Sequence, residues 1–317
     1  MLSRTADHLF WMARYIERAE NTARMLDVNT ETSLMPQSKA AALRGWRAML
    51  AISELKPQFE KKYPKLTPKD VLDFMVRDDT NPSSIVSCLS QARENARAVR
   101  GTLTTEVWET NNATWLELQS RLKDNSLKDN PVEFFEWVKY RSHLSRGVTI
   151  GTMLKDEAFY FMRIGTFLER ADNTARLLDV KFHGTGTDQP LSSEQRIDFY
   201  YWAALLRSVS AFEVYRKVYR DVITPARVAE LLMLRENMPR SLLACVTEVV
   251  ANLKHVGTDA SSETERYAGK LNAELKFNSI NDILAEGLHD YLTKFLECIS
   301  ELGARISRDF LLPMAIE

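Results

Sequence analysis

The chain has 317 residues, a formal net charge of −1, 45% apolar residues and 27% charged residues. This composition is ordinary for a globular protein with room for one large or two ordinary domains. Because the net charge is close to zero, no global field attracts nucleic acid or an anionic membrane, and we expect neither as a partner. The chain contains only 11 glycines and 10 prolines, which favours long helices over a turn-rich β protein.

No apolar run approaches the ~20 residues of a membrane span, and the first residues lack the pattern of a signal peptide. The three cysteines, Cys88, Cys245 and Cys298, lie far apart in apolar or helical surroundings. Such cysteines are typical of buried free thiols in a reducing compartment. These features predict a cytoplasmic protein.

Helical periodicity recurs along the chain, whereas strand alternation bounded by hairpin turns does not. The first helix is predicted over residues 9–30, and Pro36 ends that segment. A second helix is predicted over residues 39–60, with a break near Pro57. Thr67 is the N-cap of a short helix whose first residue is proline.

The next long helix starts at Ser83 or Ser84 and runs to Leu118, with a kink near Gly101. Residues 184–190 form the most flexible connector. The next helices are predicted over residues 131–150 and 155–182. After the connector, helix is predicted up to residue 253, with breaks near 224–225 and 237–239. A loop at 257–263 follows, and the last helices run to about residue 312.

A twelve-residue segment occurs twice. Residues 17–28 and 169–180 are identical at ten of twelve positions, and the two differences exchange Glu for Asp and Met for Leu. Chance does not produce this agreement, so the sequence indicates an internal duplication. Further matches follow in the same order: Trp46 and Trp202, Thr67-Pro68 and Thr224-Pro225, Pro82 and Pro239, Ser84 and Ser241, Cys88 and Cys245, and Asn95 and Asn252.

The economical interpretation is an all-α helical bundle, built from two pseudo-repeated multi-helix units that share one core. The units are about 1–150 and 151–317 within a single domain of residues 1–317. Polar residues on a solvated helix face change freely, yet the polar residues of the two segments agree. The candidate site is therefore drawn from these side chains, together with Arg14, which lies just before the first segment: Arg14, Glu17, Arg18, Asn21, Arg24, Glu169, Arg170, Asn173 and Arg176.

Three interpretations of these side chains remain open. The first is an ordinary solvated face with a weak Glu–Arg pair in each copy. The second is a buried structural layer in which the two helices pack antiparallel, so that Glu17 faces Arg176 and Glu169 faces Arg24. The third is a polar cleft in which Arg24 and Arg176 bind a carboxylate or phosphate.

The doubled motif resembles the bacterial Alpha-E family, a predicted all-helical family named for its Glu-Arg motif. The first copy has Arg14 where the second has Thr166, so a role given to Arg14 is not assumed twice. The resemblance covers nearly the whole chain and is carried by Trp11, residues 14–15, residues 17–24, Gly165, residues 169–176 and the turns at 81–85 and 238–242.

The resemblance implies neighbours. Genes of this family lie beside circularly permuted ATP-grasp ligases, often with transglutaminase-like proteins, and ATP-grasp enzymes make amide bonds through an acyl phosphate. The leading hypothesis is a non-catalytic partner or peptide-presenting subunit of such a ligase. The rival is an enzyme that acts on a peptide or small carboxylate, with Glu17 and Glu169 as acid/base groups beside Arg24 and Arg176. A third is a purely structural dimerisation module.

Other motifs predict no cofactor. Glu286 and His289 have the Glu-x-x-His spacing of carboxylate-bridged metal bundles, but those sites need a second such motif, which is missing here. Gly184-Thr185-Gly186 follows a helix and lacks the Gly-Lys-Ser/Thr ending of a phosphate loop. We therefore expect no metal, no cofactor and no identifiable catalytic residue.

Overall fold

The computed structural model describes residues 1–33, 39–124, 127, 130–183 and 194–311. Within these ranges the chain forms fifteen α-helices and no strand, which confirms the predicted all-α fold class. The predicted connector at 184–190 and the predicted helix end at Pro36 lie outside them. The helices are α1 (Ser3–Ser33), α2 (Lys39–Ile52), α3 (Lys56–Lys62), α4 (Pro68–Val76), α5 (Ile85–Ala98), α6 (Thr105–Lys123), α7 (Pro131–Thr152), α8 (Glu157–His183), α9 (Glu194–Ser208), α10 (Phe212–Tyr219), α11 (Pro225–Met233), α12 (Leu242–Val256), α13 (Ser262–Phe277), α14 (Ile280–Glu286) and α15 (Leu288–Phe310).

Side-chain caps start several of these helices where the sequence predicts them. The Thr67 hydroxyl accepts a hydrogen bond from the Asp70 backbone N–H at 3.1 Å, at the start of α4. Ser84 caps α5 in the same way, with the Ser87 N–H at 3.1 Å. Both caps satisfy backbone donors that have no partner within the helix, and both are confirmed.

The second half of the chain uses the same local structures. Thr224 caps α11 through the Arg227 N–H at 3.4 Å, and Ser241 caps α12 through the Ala244 N–H at 3.0 Å. The matched residues Thr67 and Thr224, and Ser84 and Ser241, thus have equal roles at equal places.

The single helix predicted from Ser83 or Ser84 to Leu118 is wrong. Helix α5 ends at Ala98, a short 3₁₀ turn follows over Arg100–Thr102, and α6 begins at Thr105. Two local features cause the break. Gly101 is a poor helix former, and the Thr104 hydroxyl accepts from the Val107 N–H and so starts a new helix.

Helices α1 and α8, which carry the two copies of the segment, pack against each other at the centre of the bundle. They run parallel, because contacts between them advance together along both helices. Phe10 lies against Gly165, and seven residues further along Glu17 binds Arg170. The predicted antiparallel arrangement is therefore wrong.

Glycine at position 165 allows the two backbones to approach closely. A Cβ atom at Gly165 would lie 3.3 Å from the Cα of Phe10 and nearer still to its carbonyl oxygen. Any larger side chain must push α1 and α8 apart.

Helices from both halves of the chain surround this central pair. α1 also packs against α5, α7 and α9, while α8 also packs against α12 and α15. Buried apolar side chains of both halves form one contiguous core, in which Trp46, Trp202 and Tyr215 are among the largest members.

Two further sequence predictions can be compared with the fold. The three cysteines are free; Cys88 and Cys245 are buried as predicted, while Cys298 is half-buried. Across the described ranges, no helix combines the length and the apolar character that crossing a membrane requires.

Candidate functional site

The Glu-Arg motif of each central helix binds the Glu-Arg motif of the other. Arg170 donates Nε and Nη2 to the two carboxylate oxygens of Glu17, each at 2.9 Å. Arg18 donates the same two groups to Glu169, at 2.6 and 3.0 Å. Bidentate pairing of this kind is a strong, geometrically specific form of ion pair. The two motifs therefore join α1 to α8.

This arrangement replaces the predicted pairs of Glu17 with Arg176 and of Glu169 with Arg24, which are wrong. In two parallel helices, residues at the same level face each other, so each glutamate meets the arginine that follows its counterpart. The helical wheel indicates which face of a helix is polar but not the direction of the neighbouring helix.

Arg24 and Arg176 instead reach the ends of other helices. Arg24 donates Nε to Glu20 at 2.8 Å and Nη1 to the Ser210 hydroxyl at 2.5 Å, just beyond α9. Arg176 pairs with Asp172 at 2.8 Å and with Glu54, just beyond α2.

Glu54 and Ser210 share an uncommon backbone conformation, with φ of 55° and 54°. Left-handed residues of this type terminate helices, where arginines also interact favourably with the carbonyl groups. Arg24 and Arg176 thus hold two helix ends.

The remaining predicted residues occupy unequal environments. Arg14 donates Nε to Glu169 at 2.8 Å and lies over the Trp11 ring at 4.9 Å. The Asn21 carbonyl oxygen accepts from Arg240 at 2.9 Å, and its amide nitrogen is buried without a partner in the described part of the chain. Asn173 is half-buried. The two copies of the motif are therefore not interchangeable.

Three central residues lie outside the predicted site: Glu20, Arg146 and Arg240. Glu20 is 0% exposed and accepts hydrogen bonds from Arg146 and Arg240, each at 2.5 Å. The same two arginines also bind Glu17, at 3.1 and 2.9 Å.

One signal was present for Arg240. It stands in the repeated Pro-x-Ser turn, where the first copy has Ser83, so the second copy alone places a cation there. No comparable signal marked Arg146, which lies on α7 outside both copies of the segment.

Two opposing effects set the pKa of each buried glutamate. Burial raises the pKa, and the neighbouring arginines lower it. Burial alone would raise the pKa of Glu169, but Arg18 and Arg14 lower it to about 2. The pKa of Glu17 is likewise lowered, because the effect of Arg170 and Arg240 exceeds that of burial. The pKa of Glu20 lies well below its ordinary value, for the same reason. All three carboxylates are ionised and are weak bases.

The cluster around Glu17 and Glu20 contains more positive than negative charge. Four arginines bind these two carboxylates, namely Arg24, Arg146, Arg170 and Arg240. Four positive charges against two negative charges leave an excess of two.

The pKa of Arg240 reflects this excess of positive charge. Burial lowers its pKa, and Arg170 and Arg24 lower it further, so that it stays below its ordinary value despite two carboxylate partners.

A cavity of about 200 Å³ lies beside this cluster, between α1, α7 and α8. Glu17, Arg146, Arg163 and Arg170 contribute charged groups to its lining, and aromatic, aliphatic and hydroxyl side chains form the rest. Ile150, which is 57% exposed, lies at its edge and marks the side that opens to solvent. Within the described ranges, no group of three or more His, Cys, Asp or Glu side chains is placed to hold a metal ion.

Comparisons with known proteins give a consistent result. The Alpha-E family, described as a predicted alpha-helical domain with a conserved ER motif, matches residues 1–311. Uncharacterised proteins of Mycobacterium bovis and Mycobacterium tuberculosis are 26% identical to the chain over 321 aligned positions, which cover 92% of it. The match covers 35% of these relatives, so the chain spans about a third of their length. No solved structure matches the chain.

Proposed function

Because the chain belongs to the Alpha-E family, we propose that it is a non-catalytic partner of an ATP-grasp amide ligase. In this role the chain presents a peptide to the ligase or holds the ligase. The observation that carries this proposal is the pairing of the motif glutamates. Glu17 and Glu169 are 1% and 5% exposed, and each is bound by at least two arginines. Such carboxylates hold helices together and are poor acid/base groups.

The lengths of the relatives support a role beside another catalytic unit. In the two mycobacterial proteins the matching region is joined to a further polypeptide of nearly twice its length. A helical module that occurs within a longer chain fits a protein that works in contact with a second domain or subunit.

Helix α7 offers a surface for that contact. Tyr140 and Leu144, one helical turn apart on α7, share a face and are 66% and 44% exposed. Apolar side chains grouped on one exposed helix face are typical of protein interaction sites. This face supports a docking role for α7.

The test is a pull-down between the purified chain and the ATP-grasp ligase encoded beside it, followed by light scattering to establish stoichiometry. We expect a defined complex, and we expect the double variant Tyr140→Glu/Leu144→Glu to lose it. Phe277→Glu, at an 83% exposed position on α13, is the matched control and should keep it. The same assay with the neighbouring transglutaminase-like protein tests the second partner. Absence of any complex with the ligase at about 10 µM would overturn the proposal.

The cavity beside Glu17 favours one second candidate, an enzyme that acts on a peptide or a small carboxylate. The lowered pKa of Glu17 counts against this candidate, because it makes the Glu17 carboxylate a weaker base. The substitution Glu17→Gln separates the candidates. A folded variant that retains biological function removes this alternative, whereas a folded variant that binds the ligase but has no function supports it.

A further inference from the structure

The cavity owes its shape to one difference between the two central helices. Arg14 lies three residues before Glu17 and reaches across to Glu169 at 2.8 Å. The residue three positions before Glu169 is Thr166, which lines the cavity next to Glu17. An arginine there would reach Glu17 as Arg14 reaches Glu169. Thr166 is shorter, and its hydroxyl donates to the Met162 carbonyl of its own helix at 3.0 Å. Space remains where an arginine would otherwise lie.

A cation does not suit this space. A carboxylate offers about four lone-pair sites. Both oxygens of Glu17 already accept two hydrogen bonds each, from Arg170, Arg240 and Arg146. The surrounding cluster also holds two more positive than negative charges, and an excess of charge in a protein interior is costly. The electrostatics therefore favour an anion.

Donors for an anion are present on the cavity wall. Arg146 contacts Glu17, Glu20 and Ser142 through Nη1 alone, and within the described part of the chain its Nε and Nη2 have no partner. Arg163 binds Glu248 through Nη2, and its Nε and Nη1 have no partner among the described residues.

A buried hydroxyl adds a third polar group. Ser145 lines the cavity and is 5% exposed. Two guanidinium groups and a hydroxyl, from the two helices α7 and α8 that line the cavity, supply donors of the kind that bind a carboxylate.

The other walls are apolar and include Ile16, Phe159, Met162 and Phe167. We propose that this cavity binds an organic carboxylate with a small apolar body, held by Arg146, Arg163 and Ser145 at the carboxylate and by the aromatic and aliphatic wall at the body. Ligand sites of this mixed character, concave and mostly apolar with a few polar anchors, are the common type in proteins. The inference goes beyond the proposed function, because binding to the isolated chain requires no ligase.

The test is isothermal titration calorimetry of the full chain with phenylacetate, and with the peptide N-acetyl-Gly-Gly-Phe bearing a free carboxylate. The uncharged controls are phenylacetamide and the peptide amide. We expect saturable one-to-one binding of at least one acid, and binding of its amide that is about tenfold weaker or absent. Binding of phenylacetate alone identifies a free acid as the ligand, and binding of the peptide alone identifies a chain terminus. If neither acid binds, the proposal is wrong.

Three variants test whether the ligand lies in the cavity. Thr166→Met fills the space with a flexible apolar side chain, and it should abolish binding while leaving the thermal unfolding temperature near that of the wild type. Arg163→Gln should weaken binding about tenfold or more. Glu248→Gln releases Arg163 from its partner and should strengthen binding.

Arg305 provides the matched control for Arg163. Like Arg163, it pairs with a glutamate (Glu301, at 2.6 Å), lies over an aromatic ring and has a side chain about one-quarter exposed (27% against 25%). Arg305→Gln should bind as the wild type does. If Thr166→Met and Arg163→Gln both fold and bind as tightly as the wild type, the ligand binds elsewhere and the proposal fails.

Discussion

Glu169 shows at the scale of single residues what the repeated motif does. Its carboxylate is 5% exposed and is bound by Arg14 and Arg18, which come from the other central helix. Placing a charge in a protein interior is costly unless its partners are complete. An exchange of Glu169 or Arg18 therefore leaves a buried charge without its main partner, which gives a structural reason for the agreement between the two segments.

We predict that Glu169→Gln destabilises the protein by about 3–5 kcal/mol, because it leaves Arg14 and Arg18 without a counter-ion. The free energy of unfolding, measured by urea denaturation at pH 7, checks this. Glu301→Gln is the control, since it breaks an exposed pair within one helix and should cost under about 0.5 kcal/mol. Equal effects of the two substitutions would contradict the structural role of Glu169.

The same residue gives a pH dependence. The pKa of Glu169 is about 2 in the folded protein, against an ordinary value of 4.5. The unfolded chain therefore binds a proton first as the pH falls. The stabilisation from Glu169 is complete above about pH 4.5 and is lost progressively toward about pH 2. We predict that the free energy of unfolding falls less steeply over this window in Glu169→Gln than in the wild type. Parallel curves would show that Glu169 does not contribute.

The thiols respond to burial as well. Burial raises the pKa of Cys88 and of Cys245 to about 12, whereas Cys298 is half-buried. Because thiolates react and thiols do not, we predict that a disulfide reagent at pH 8 modifies Cys298 alone in the native protein and all three in urea. Mass spectrometry of the modified peptides identifies the sites. Rapid native labelling of Cys88 or Cys245 would contradict the packing around them.

At the scale of the helices, the contact between α1 and α8 depends on Gly165. We predict that Gly165→Ala destabilises the protein by about 1–3 kcal/mol, although alanine is the better helix former by about 1 kcal/mol. Gly269→Ala is the matched control, because no atom lies within 4 Å of the position that its Cβ would take. That substitution should leave stability unchanged or raise it. Urea denaturation of the two variants decides between them.

The helices themselves could be predicted because their signals are local. Thr67 and Ser84 act as caps through atoms only three residues away, and sequence spacing records such contacts. The direction of α8 relative to α1 has no local signal, and the antiparallel prediction was wrong for that reason. The prediction of the site residues was incomplete for the same reason. Arg146 and Arg240 reach Glu17 from distant segments, so no pattern within the repeated segment could place them.

At the scale of the whole molecule, ion pairs connect the two halves of the chain in both directions. Glu17 depends on Arg170 and Arg240 from the second half, and Glu169 depends on Arg14 and Arg18 from the first. The apolar core is also continuous across the halves. These contacts support the proposal that two related helical units share one core.

We predict that fragments 1–154 and 155–317, cut in the turn between α7 and α8, do not fold separately. Each fragment alone would leave buried carboxylates or arginines unpaired and half of the core exposed. Circular dichroism should show little helix and no cooperative thermal transition for either fragment. Co-expression should restore both, with the uncut chain as the reference. A fragment that unfolds cooperatively on its own would show that the halves are independent domains.

The hydrogen-bond partners of Glu17 are synthesised long after Glu17 itself during translation. Its partners Arg146, Arg170 and Arg240 follow it by 129, 153 and 223 residues. At a translation rate of about 5–20 residues per second, the last partner is made roughly 10–45 s after Glu17. During that interval α5 and α7 can cover part of α1, but the faces that pack against α8 and α9 stay exposed until those helices are made, and Glu17 lacks Arg240. The nascent chain should therefore be a client of ribosome-associated chaperones until α12 emerges.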